Sequence, residues 1–310
     1  MKISIIGAGN VGGLTAMRLA EAGFGEIVLV DIVKGVAQGK AFDMQDAGAV
    51  LKFDCRILGS EDIKSVKDSD IIIMTAGLAR KPGMTREDLL NKNARILKEV
   101  CLEIKKISPG SILIVVTNPL DIMAYLALRV TGFQPERVFG MGVSLDSARF
   151  ANLIARELNI PFTDIDACVI GSHGEGMLPL PRFTTIKGIP LNEVLEEDKA
   201  RALVQRSFER GKEIVSLLGS GSAYFAPSQA IAAIVRSIVK DEKRVIGVSA
   251  YLKGEYGVKD ACIGVPCRIG KNGIEKIIEL ELNKEEKTHF SDSAESIRKN
   301  LELVKLNHEL

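Results

Sequence analysis

The chain has 310 residues, of which 46% are hydrophobic, so it is long enough to form two domains with sizeable cores. Its 41 basic and 40 acidic residues leave a formal net charge of +1, which argues against a general nucleic-acid or membrane-surface binder. No signal peptide and no apolar run of membrane-spanning length is visible, and the sequence therefore predicts a cytoplasmic protein.

The cysteines predict neither a disulfide framework nor a metal centre. There are five, an odd number, and they are scattered without a C-x-x-C pair: Cys55, Cys101, Cys168, Cys262 and Cys267. Cysteines of this kind are usually free thiols in a reducing compartment. A zinc site would also need histidines close by, and none is placed for it.

The chain begins with a strand, a glycine-rich turn and a helix. An apolar strand over residues 2–7 leads into Gly7-Ala-Gly9-Asn-Val-Gly12, and a helix is predicted over Leu14–Ala22. A second apolar strand, Glu26–Val30, ends at Asp31. This order of elements is typical of a dinucleotide-binding unit. A glycine-rich turn in another kind of α/β domain is the alternative.

Each part of that motif has a physical reason. Gly7 permits a tight turn, Gly9 lets the backbone approach a pyrophosphate, and Gly12 lets the helix pack on the strand. The free N–H groups at the helix N-terminus favour phosphates. Asp31 can accept hydrogen bonds from both ribose hydroxyls and would repel a 2′-phosphate, so NAD is predicted rather than NADP, with Lys34 as the reservation.

The same patterns place further elements in the first half of the chain. Apolar strands are predicted at Asp70–Met74, Ser111–Val116 and Arg137–Gly142, and helices at Asp88–Lys106 and Leu120–Thr131. Continuous apolar strands are typical of a parallel sheet buried on both faces, and Arg137–Gly142 is expected to be its last strand. Ligands of such sheets bind beyond the carboxyl ends of the strands, where Gly77 and Asn118 are expected.

The second half mixes helices and strands in another order. Helices are predicted from Leu145 to about Asn159 and at Asp198–Leu218, Pro227–Lys240 and Ser293–Leu306, and strands around His173 and at Arg182–Ile186, Arg244–Gly270 and Gly273–Leu282. The sequence thus predicts an α/β protein. An N-terminal Rossmann domain with a doubly wound parallel sheet, residues 1–142, would precede a C-terminal α+β catalytic domain, residues 143–310, without a flexible linker.

One histidine is a candidate acid/base. The chain has three histidines, and two of them, His289 and His308, lie in a charged C-terminal segment. His173 instead follows an apolar strand that ends at Gly171, and small residues flank it. Imidazole titrates near neutral pH, so proton transfer would fall to His173. A packed or exposed structural histidine is the alternative.

Charged residues elsewhere could serve an anionic ligand. Asp146 and Arg149 are three residues apart on a predicted helix, so their side chains share a face. The stretch 78–87 carries three cations, which are Arg80, Lys81 and Arg86. A cationic loop at the ligand edge of the sheet could close over an anionic substrate and exclude water. A surface ion pair and a solvated loop are the alternatives.

Together these motifs resemble one enzyme family. They occur in the order Gly7-Ala-Gly9-Asn-Val-Gly12, Asp31, Thr75-Ala-Gly77, Ala79-Arg80-Lys-Pro-Gly-Met-Thr-Arg86, Thr117-Asn118-Pro119-Leu-Asp121, Leu145-Asp146-Ser-Ala-Arg149-Phe150 and Gly171-Ser-His173-Gly174. This order resembles that of the lactate/malate dehydrogenases, in particular the lactate-dehydrogenase-like malate dehydrogenases. The resemblance runs from about residue 2 to about residue 306.

The resemblance implies roles for several side chains. His173 is implied as the catalytic acid/base, and Asp146 as the carboxylate that orients it and stabilises its charged form. Arg149 is implied as the bidentate partner of the C1 carboxylate of the substrate. Arg86 would polarise the C2 carbonyl, and Asn118 would touch both nicotinamide and substrate.

The resemblance also implies NAD as cofactor, and the sequence predicts no metal site. The cofactor contacts would be Gly7, Gly9, Asn10, Val11, Gly12, Asp31, Thr75, Gly77, Asn93, Val116 and Asn118. The partners implied are a small dicarboxylate substrate and further copies of the same chain, as a homodimer or homotetramer.

Arg80 is expected to decide the substrate. In the family, a glutamine at the matching position goes with lactate dehydrogenases and an arginine with malate dehydrogenases. A cation in a closed, dry site would pair with the second carboxylate of oxaloacetate, whereas pyruvate would leave it buried and unpaired. The expected reaction is reversible hydride transfer between (S)-malate and NAD, giving oxaloacetate and NADH. L-lactate or another 2-hydroxy acid is the alternative substrate.

Two other functions would suit the same dinucleotide motif. An NAD-dependent glycosidase would need metal-ligating Cys and His residues in the second half, for which Cys168 and His173 are a poor substitute. A non-catalytic dinucleotide-binding module would have no need of Asp146, His173 and the loop arginines together.

Overall fold

Strands and helices alternate in the first half because short apolar runs are punctuated by glycines and polar turns. The computed structural model describes residues 1–78 and 85–308, with the side chains of residues 86 and 305–308 outside the description. The strands are β1 (Lys2–Ile6), β2 (Glu26–Val30), β3 (Ile57–Ser60), β4 (Ile71–Met74), β5 (Ile112–Val115) and β6 (Val138–Gly140). The helices are α1 (Asn10–Glu21), α2 (Val36–Leu51), α3 (Arg86–Ile107) and α4 (Leu120–Thr131).

The first-half strands form the doubly wound parallel sheet that the sequence predicts. Their spatial order is β3-β2-β1-β4-β5-β6, with every pair parallel. All residues of β4 and β5 are buried, as expected for a sheet covered by helices on both faces. The strand order reverses between β1 and β4, and ligands of such sheets bind beyond the carboxyl ends at this point.

The second half supplies helices and mostly antiparallel strands. Its helices are α5 (Val143–Leu158), α6 (Leu191–Val194), α7 (Glu197–Leu218), α8 (Phe225–Val239) and α9 (Lys284–His308). Its strands are β7 (Ile165–Asp166), β8 (Val169–Gly171), β9 (Met177–Pro179), β10 (Thr185–Ile186), β11 (Ile189–Pro190), β12 (Arg244–Lys253), β13 (Lys259–Gly270) and β14 (Gly273–Ile277). A small separate sheet has the order β11-β10-β7.

The main sheet does not end at β6, contrary to the sequence prediction for Arg137–Gly142. It continues through antiparallel β12, β13, β8 and β9, and β14 pairs with β13. The junction is the pairing of Ser249 with Gly140. A side chain at 140 would bring its Cβ to 2.5 Å from Leu120 Cδ2 and 3.0 Å from Ser249 Cβ, so glycine permits the junction.

The hydrophobic core also continues from the first half of the chain into the second. One large apolar cluster includes buried residues of the parallel strands together with residues of α8, β12, β13 and α9. A second, smaller cluster lies between α5, α7 and the strands around β8, with Val143, Phe150 and Leu203 among its members. The two halves of the chain therefore share a core.

Several elements differ from the sequence prediction. α2 and β3 were not predicted, because the buried positions of α2 are the narrow stripe Ala37, Ala41, Met44 and Gly48. The last helix begins at Lys284 rather than at Ser293. The predicted strand Arg182–Ile186 is a 3₁₀ turn over Pro181–Phe183 followed by β10, since proline at its start favours a turn.

No helix in residues 1–78 and 85–308 combines the length and the apolar character needed to cross a membrane. The cytoplasmic location stays a prediction.

The start of α9 at Lys284 can be tested through the packing of this helix on the large core. Phe290, 1% exposed, lies near the ring of Tyr256, with ring centroids 5.0 Å apart. Phe290→Ala should lower the free energy of unfolding by about 3–5 kcal/mol, because it leaves a cavity in the core. Leu303→Ala, at an exposed position of the same helix, should cost under about 1 kcal/mol. Urea denaturation of both variants measures this, and equal losses would contradict the assigned packing.

Candidate active site

The glycine-rich turn between β1 and α1 is shaped by close backbone contacts. Gly7 has a φ of +104°, and a Cβ there would lie 2.6 Å from the amide nitrogen of Ala76. A Cβ at Gly12 would lie 1.9 Å from the carbonyl oxygen of Gly7. No described atom lies within 4 Å of a Cβ built at Gly9, so this glycine faces open space. Two glycines thus serve packing, and the third leaves room for a ligand beside the backbone.

The N-terminus of α1 and the end of β2 complete this part of the site. Gly9 precedes the first residue of α1 and has no side chain to cap it, and the first turn contains no acidic residue. Its N–H groups are therefore suited to an anion. Asp31 accepts hydrogen bonds from the N–H groups of Ala8, at 2.7 Å, and Val33, at 2.9 Å, one on each oxygen. Each carboxylate oxygen keeps a lone pair for a further donor.

Lys40 is a further residue at this turn that the sequence analysis missed. Its ammonium group donates to the carbonyl oxygens of Ala8, at 2.6 Å, and Gly9, at 3.3 Å. Among the described residues it has no carboxylate partner, so it adds positive charge beside the turn. Lys40 lies on α2, and the missed helix is the reason that the lysine was missed.

The predicted cofactor residues after β4 and β5 form the adjoining edge of the sheet. Thr75 donates from its hydroxyl to the carbonyl oxygen of Gly7, at 2.9 Å, which ties β4 to the glycine-rich turn. A Cβ at Gly77 would lie 2.6 Å from Thr117 Cγ2, so the two strand ends lie close together. Val116 is half-buried and Asn118 is exposed, as is Asn10 of the glycine-rich turn, and Val11 is half-buried.

Asn93 contributes to this edge by holding it together. Its side chain is 1% exposed, and its Oδ1 accepts from the N–H of Leu78 at 2.7 Å. Its Nδ2 donates to the carbonyl oxygens of Leu78, at 3.3 Å, and Asn118, at 2.8 Å. The amide therefore links the backbone after β4 to the backbone after β5. A direct contact of Asn93 with a cofactor stays a prediction.

The candidate acid/base lies next to a buried carboxylate. His173 follows β8, and its Nδ1 lies 2.7 Å from Oδ2 of Asp146, on α5. Asp146 is 1% exposed, and the His173 side chain 16%. A proton on Nδ1 faces Asp146, which leaves the lone pair of Nε2 available to a ligand.

The surroundings of His173 tune its basicity. Burial by itself would lower the pKa of His173, because it disfavours the imidazolium. The charge and the hydrogen bond of Asp146, together with the charge of Asp121, outweigh burial and raise the pKa above its usual value. Arg149 opposes them in part. His173 therefore binds a proton more readily than an exposed histidine.

Arg149 shares the carboxylate of Asp146. Its Nη1 lies 3.3 Å from Oδ1 of Asp146, and its Nε is buried with no hydrogen-bond partner among the described residues. Gly211 of α7 lies alongside, and a Cβ there would be 3.3 Å from Arg149 Nη1. The guanidinium thus keeps unused donors close to His173, and its planar fork matches a carboxylate.

A second buried carboxylate is that of Asp121, a residue of the motif Thr117–Asp121 for which the sequence predicted no role. Its Oδ2 accepts the main-chain N–H of His173 at 2.8 Å, and its Oδ1 accepts the hydroxyl of Ser249 at 2.6 Å. Every residue from Leu120 to Leu128 on α4 is buried. An acid within so apolar a helix is a signal that could have drawn attention to it.

Two predicted substrate residues, Arg80 and Arg86, lie wholly or partly outside the described structure. Arg80 lies outside the described residues. Arg86 begins α3, and its side chain lies outside the description. The helix is anchored just before it by a capping box, in which Thr85 Oγ1 accepts from the N–H of Asp88 at 3.0 Å. A cleft of about 1210 Å³ opens beside His173 between the starts of α3 and α4 and one face of α9.

This combination of fold and site defines a class. A Rossmann sheet with an open glycine-rich turn brings a dinucleotide to the carboxyl edge of its strands. There, a histidine–carboxylate pair and an arginine with unused donors lie together. These are the parts that a dehydrogenase acting on a small carboxylic acid needs.

The chain belongs to the lactate/malate dehydrogenase family. The model of the NAD-binding domain of lactate/malate dehydrogenase matches residues 1–140, and that of the alpha/beta C-terminal domain matches residues 143–307. The resemblance and the two-part α/β fold predicted from the sequence are confirmed.

Relatives and solved structures agree with this membership. A malate dehydrogenase of Methanosarcina mazei is 50% identical over 306 residues, which cover 99% of this chain and 100% of the relative. The apo malate dehydrogenase of Picrophilus torridus is 46% identical, with a TM-score of 0.94 over 98% of this chain and 97% of that one. The lactate dehydrogenase of Cryptosporidium parvum, complexed with lactic acid and nicotinamide adenine dinucleotide, is 34% identical, with a TM-score of 0.94 and 98% coverage of both chains.

The link made by Asn93 can be tested through stability. Asn93→Ala leaves the N–H of Leu78 and the carbonyl oxygens of Leu78 and Asn118 without the partner that the buried amide provides. It should lower the free energy of unfolding by about 1–3 kcal/mol. Asn192→Ala, at an exposed position of α6, is the control and should change it by under about 0.5 kcal/mol. If urea denaturation gives the same value for both variants, the link is not formed.

Proposed function

We propose that this protein is an NAD-dependent malate dehydrogenase that interconverts (S)-malate and oxaloacetate. The observation that carries the proposal is the grouping of His173, Asp146 and Arg149 at the carboxyl edge of a dinucleotide-binding sheet. An acid/base and a carboxylate-binding fork within one side-chain length of each other suit a 2-hydroxy acid. The names of the relatives support malate as that acid.

The residues of the first half fit NAD. The open space at Gly9 and the uncapped start of α1 would receive the pyrophosphate, and Lys40 adds positive charge there. The free lone pairs of Asp31 would receive the ribose hydroxyls, and its charge disfavours a 2′-phosphate. When bound, NAD supplies the acceptor for the hydride on C2 of malate.

The chain's own residues handle the substrate and the proton. Arg149 binds the C1 carboxylate through the guanidinium N–H groups that Asp146 does not occupy and so orients C2 toward His173. In malate oxidation, neutral His173 accepts the C2 hydroxyl proton at Nε2, and Asp146 stabilises the imidazolium that forms. In oxaloacetate reduction, the imidazolium returns that proton to the C2 oxygen.

The choice of malate rests on Arg80, and the proposal gives Arg86 the role of polarising the C2 carbonyl. The second carboxylate of oxaloacetate would neutralise Arg80 in a closed site, and the methyl group of pyruvate would not. The overall fold does not discriminate, because solved malate and lactate dehydrogenases match this chain with TM-scores of 0.94 alike.

The proposal also covers the domain boundary and the oligomeric state. The boundary between the two domains would lie between residues 142 and 143, in line with the limits of the two family models. The active form would be a homodimer or homotetramer, supported by large apolar side chains exposed on α2 and α7, such as Phe42, Val50 and Leu217. A monomeric mass by light scattering would contradict this part.

The pH dependence follows from the raised pKa of His173. Malate oxidation requires neutral His173, so kcat/KM should rise with pH through a pKa above about 6.5, whereas oxaloacetate reduction should decline through it. Asp146→Asn should lower that pKa and reduce kcat/KM by about 10²- to 10⁴-fold, because the imidazolium loses its partner. Asp164→Asn, which alters a surface pair with Lys187, is the control. An unshifted profile in Asp146→Asn would contradict the assignment of His173.

The substrate test compares oxaloacetate with pyruvate, using NADH, for the parent and Arg80→Gln. The parent should prefer oxaloacetate by more than about 10³ in kcat/KM, and the variant should lose most of that preference. Lys81→Gln changes the neighbouring cation and should keep the preference. Equal use of pyruvate by the parent would remove malate as the substrate and leave a 2-hydroxy-acid dehydrogenase. If NADH binds and neither acid is reduced, the proposed activity fails.

A further inference from the structure

The buried carboxylate of Asp121 joins three segments around the acid/base. It lies on the first turn of α4 and is 5% exposed. One oxygen holds the main-chain N–H of His173, after β8, and the other holds the hydroxyl of Ser249, on β12. Ser249 is itself the residue through which β12 pairs with β6. The carboxylate therefore lies where the parallel and antiparallel parts of the sheet meet.

The backbone of His173 depends on this carboxylate for its position. The preceding N–H, of Ser172, donates to Ser293 Oγ on α9 at 2.9 Å. Two consecutive N–H groups beyond the end of β8 are thus held by side chains from different helices. Asp121 holds the main chain of the histidine and Asp146 holds its ring, so the imidazole is oriented from both ends.

Asp121 also adds charge near the imidazole. The titratable groups around it are His173, Asp146 of α5 and Cys262 of β13, with Arg149 acting on the histidine. Burial raises the pKa of Asp121 to about 6, although the bonds from Ser249 and His173 oppose the rise. The carboxylate is therefore ionised above pH 6, where its charge favours the imidazolium.

We propose that Asp121 is a positioning residue that fixes the main chain of His173 and supplies, besides Asp146, a second negative charge to its imidazolium. Asp121→Asn removes the negative charge but keeps groups that can form hydrogen bonds. The amide oxygen can still accept the His173 N–H, and the NH₂ group can donate to Ser249 Oγ, so each contact keeps one hydrogen bond, with its direction reversed at Ser249. The kinetic consequence rests on the proposed function, whereas the effect on the imidazole does not.

The first test is an NMR titration of the imidazole protons of the full chain. The chain has three histidines, so His289→Gln and His308→Gln assign the signals. The pKa of His173 should fall by about 1 unit in Asp121→Asn, because one of its two anionic neighbours is neutral. Asp70→Asn is the matched control, since Asp70 also accepts a main-chain N–H, that of Lys2, far from the site. An unchanged pKa of His173 in a folded Asp121→Asn variant overturns the proposal.

Thermal stability separates positioning from simple packing. The folded pKa of Asp121 lies above its unfolded value, so stability is lost as pH rises from about 4 to 6 and the cost is fully present above pH 6. At pH 8 the Tm of Asp121→Asn should therefore equal or exceed that of the parent. A Tm lower by more than about 5 °C with an unshifted His173 pKa would mark a purely structural residue and overturn the proposal.

Kinetics links the residue to catalysis. The acid limb of kcat/KM for malate oxidation should move to lower pH by the same amount as the His173 pKa, and oxaloacetate reduction at pH 8 should fall by about tenfold. Ser249→Ala keeps the carboxyl group but removes a hydrogen bond that lowers its pKa, so at pH 8 it should shift the profile less than Asp121→Asn does. If the His173 pKa moves and no 2-oxo acid is reduced by the parent, the inference on Asp121 stands and the proposed function fails. A shifted His173 pKa with an unshifted kinetic profile overturns the catalytic part.

Discussion

The burial of Asp146 is the constraint from which the site follows. Asp146 is 1% exposed, and burying a carboxylate costs free energy unless its oxygens accept hydrogen bonds or face cations. One oxygen faces His173 and the other faces Arg149. The chain must therefore bring α5 against the end of β8, and α7 lies alongside, where a Cβ at Gly211 would be 3.3 Å from Arg149 Nη1. The imidazole of His173 and the guanidinium of Arg149 are held together because both satisfy the same buried charge.

The continuity of the sheet explains why His173, Asp146 and Arg149 lie on the same framework as the glycine-rich turn. β12 enters the sheet next to β6 rather than forming a sheet of its own, and β13 carries β8 with it. The end of β8 thus lies on the same framework as the ends of β4 and β5. Asp121 reinforces the junction, since one carboxylate bonds both β12 and the loop after β8. Side chains on adjacent strands and helices are positioned more precisely than side chains on long loops.

The sequence predicted the parts whose signal is local. The glycine-rich turn, the buried strands β2, β4 and β5, and α4 have patterns that depend on residues near one another in the chain. α2 was missed because a narrow stripe of small residues buries it, and the start of α9 because its first turns are highly charged. The pairing of Ser249 with Gly140 and the bonds of Asp121 to His173 and Ser249 join residues more than 50 positions apart, which no local pattern reveals. For His173 and Asp146, the motif resemblance supplied what spacing alone could not.

The scaffold and the substrate preference are separable in physical terms. A lactate dehydrogenase 34% identical to this chain shares its fold with a TM-score of 0.94, so the backbone fold does not by itself distinguish the methyl group of pyruvate from the carboxymethyl group of oxaloacetate. In the proposed reaction, His173 and Arg149 would interact with the hydroxyl and C1 carboxylate groups that all 2-hydroxy acids share. Discrimination must then come from a charge that meets the variable end of the substrate, and one unpaired buried cation is worth several kcal/mol, about 10³-fold or more in rate. In the role proposed for it, Arg80 would set the preference without any change in the sheet, the junction or the buried carboxylates.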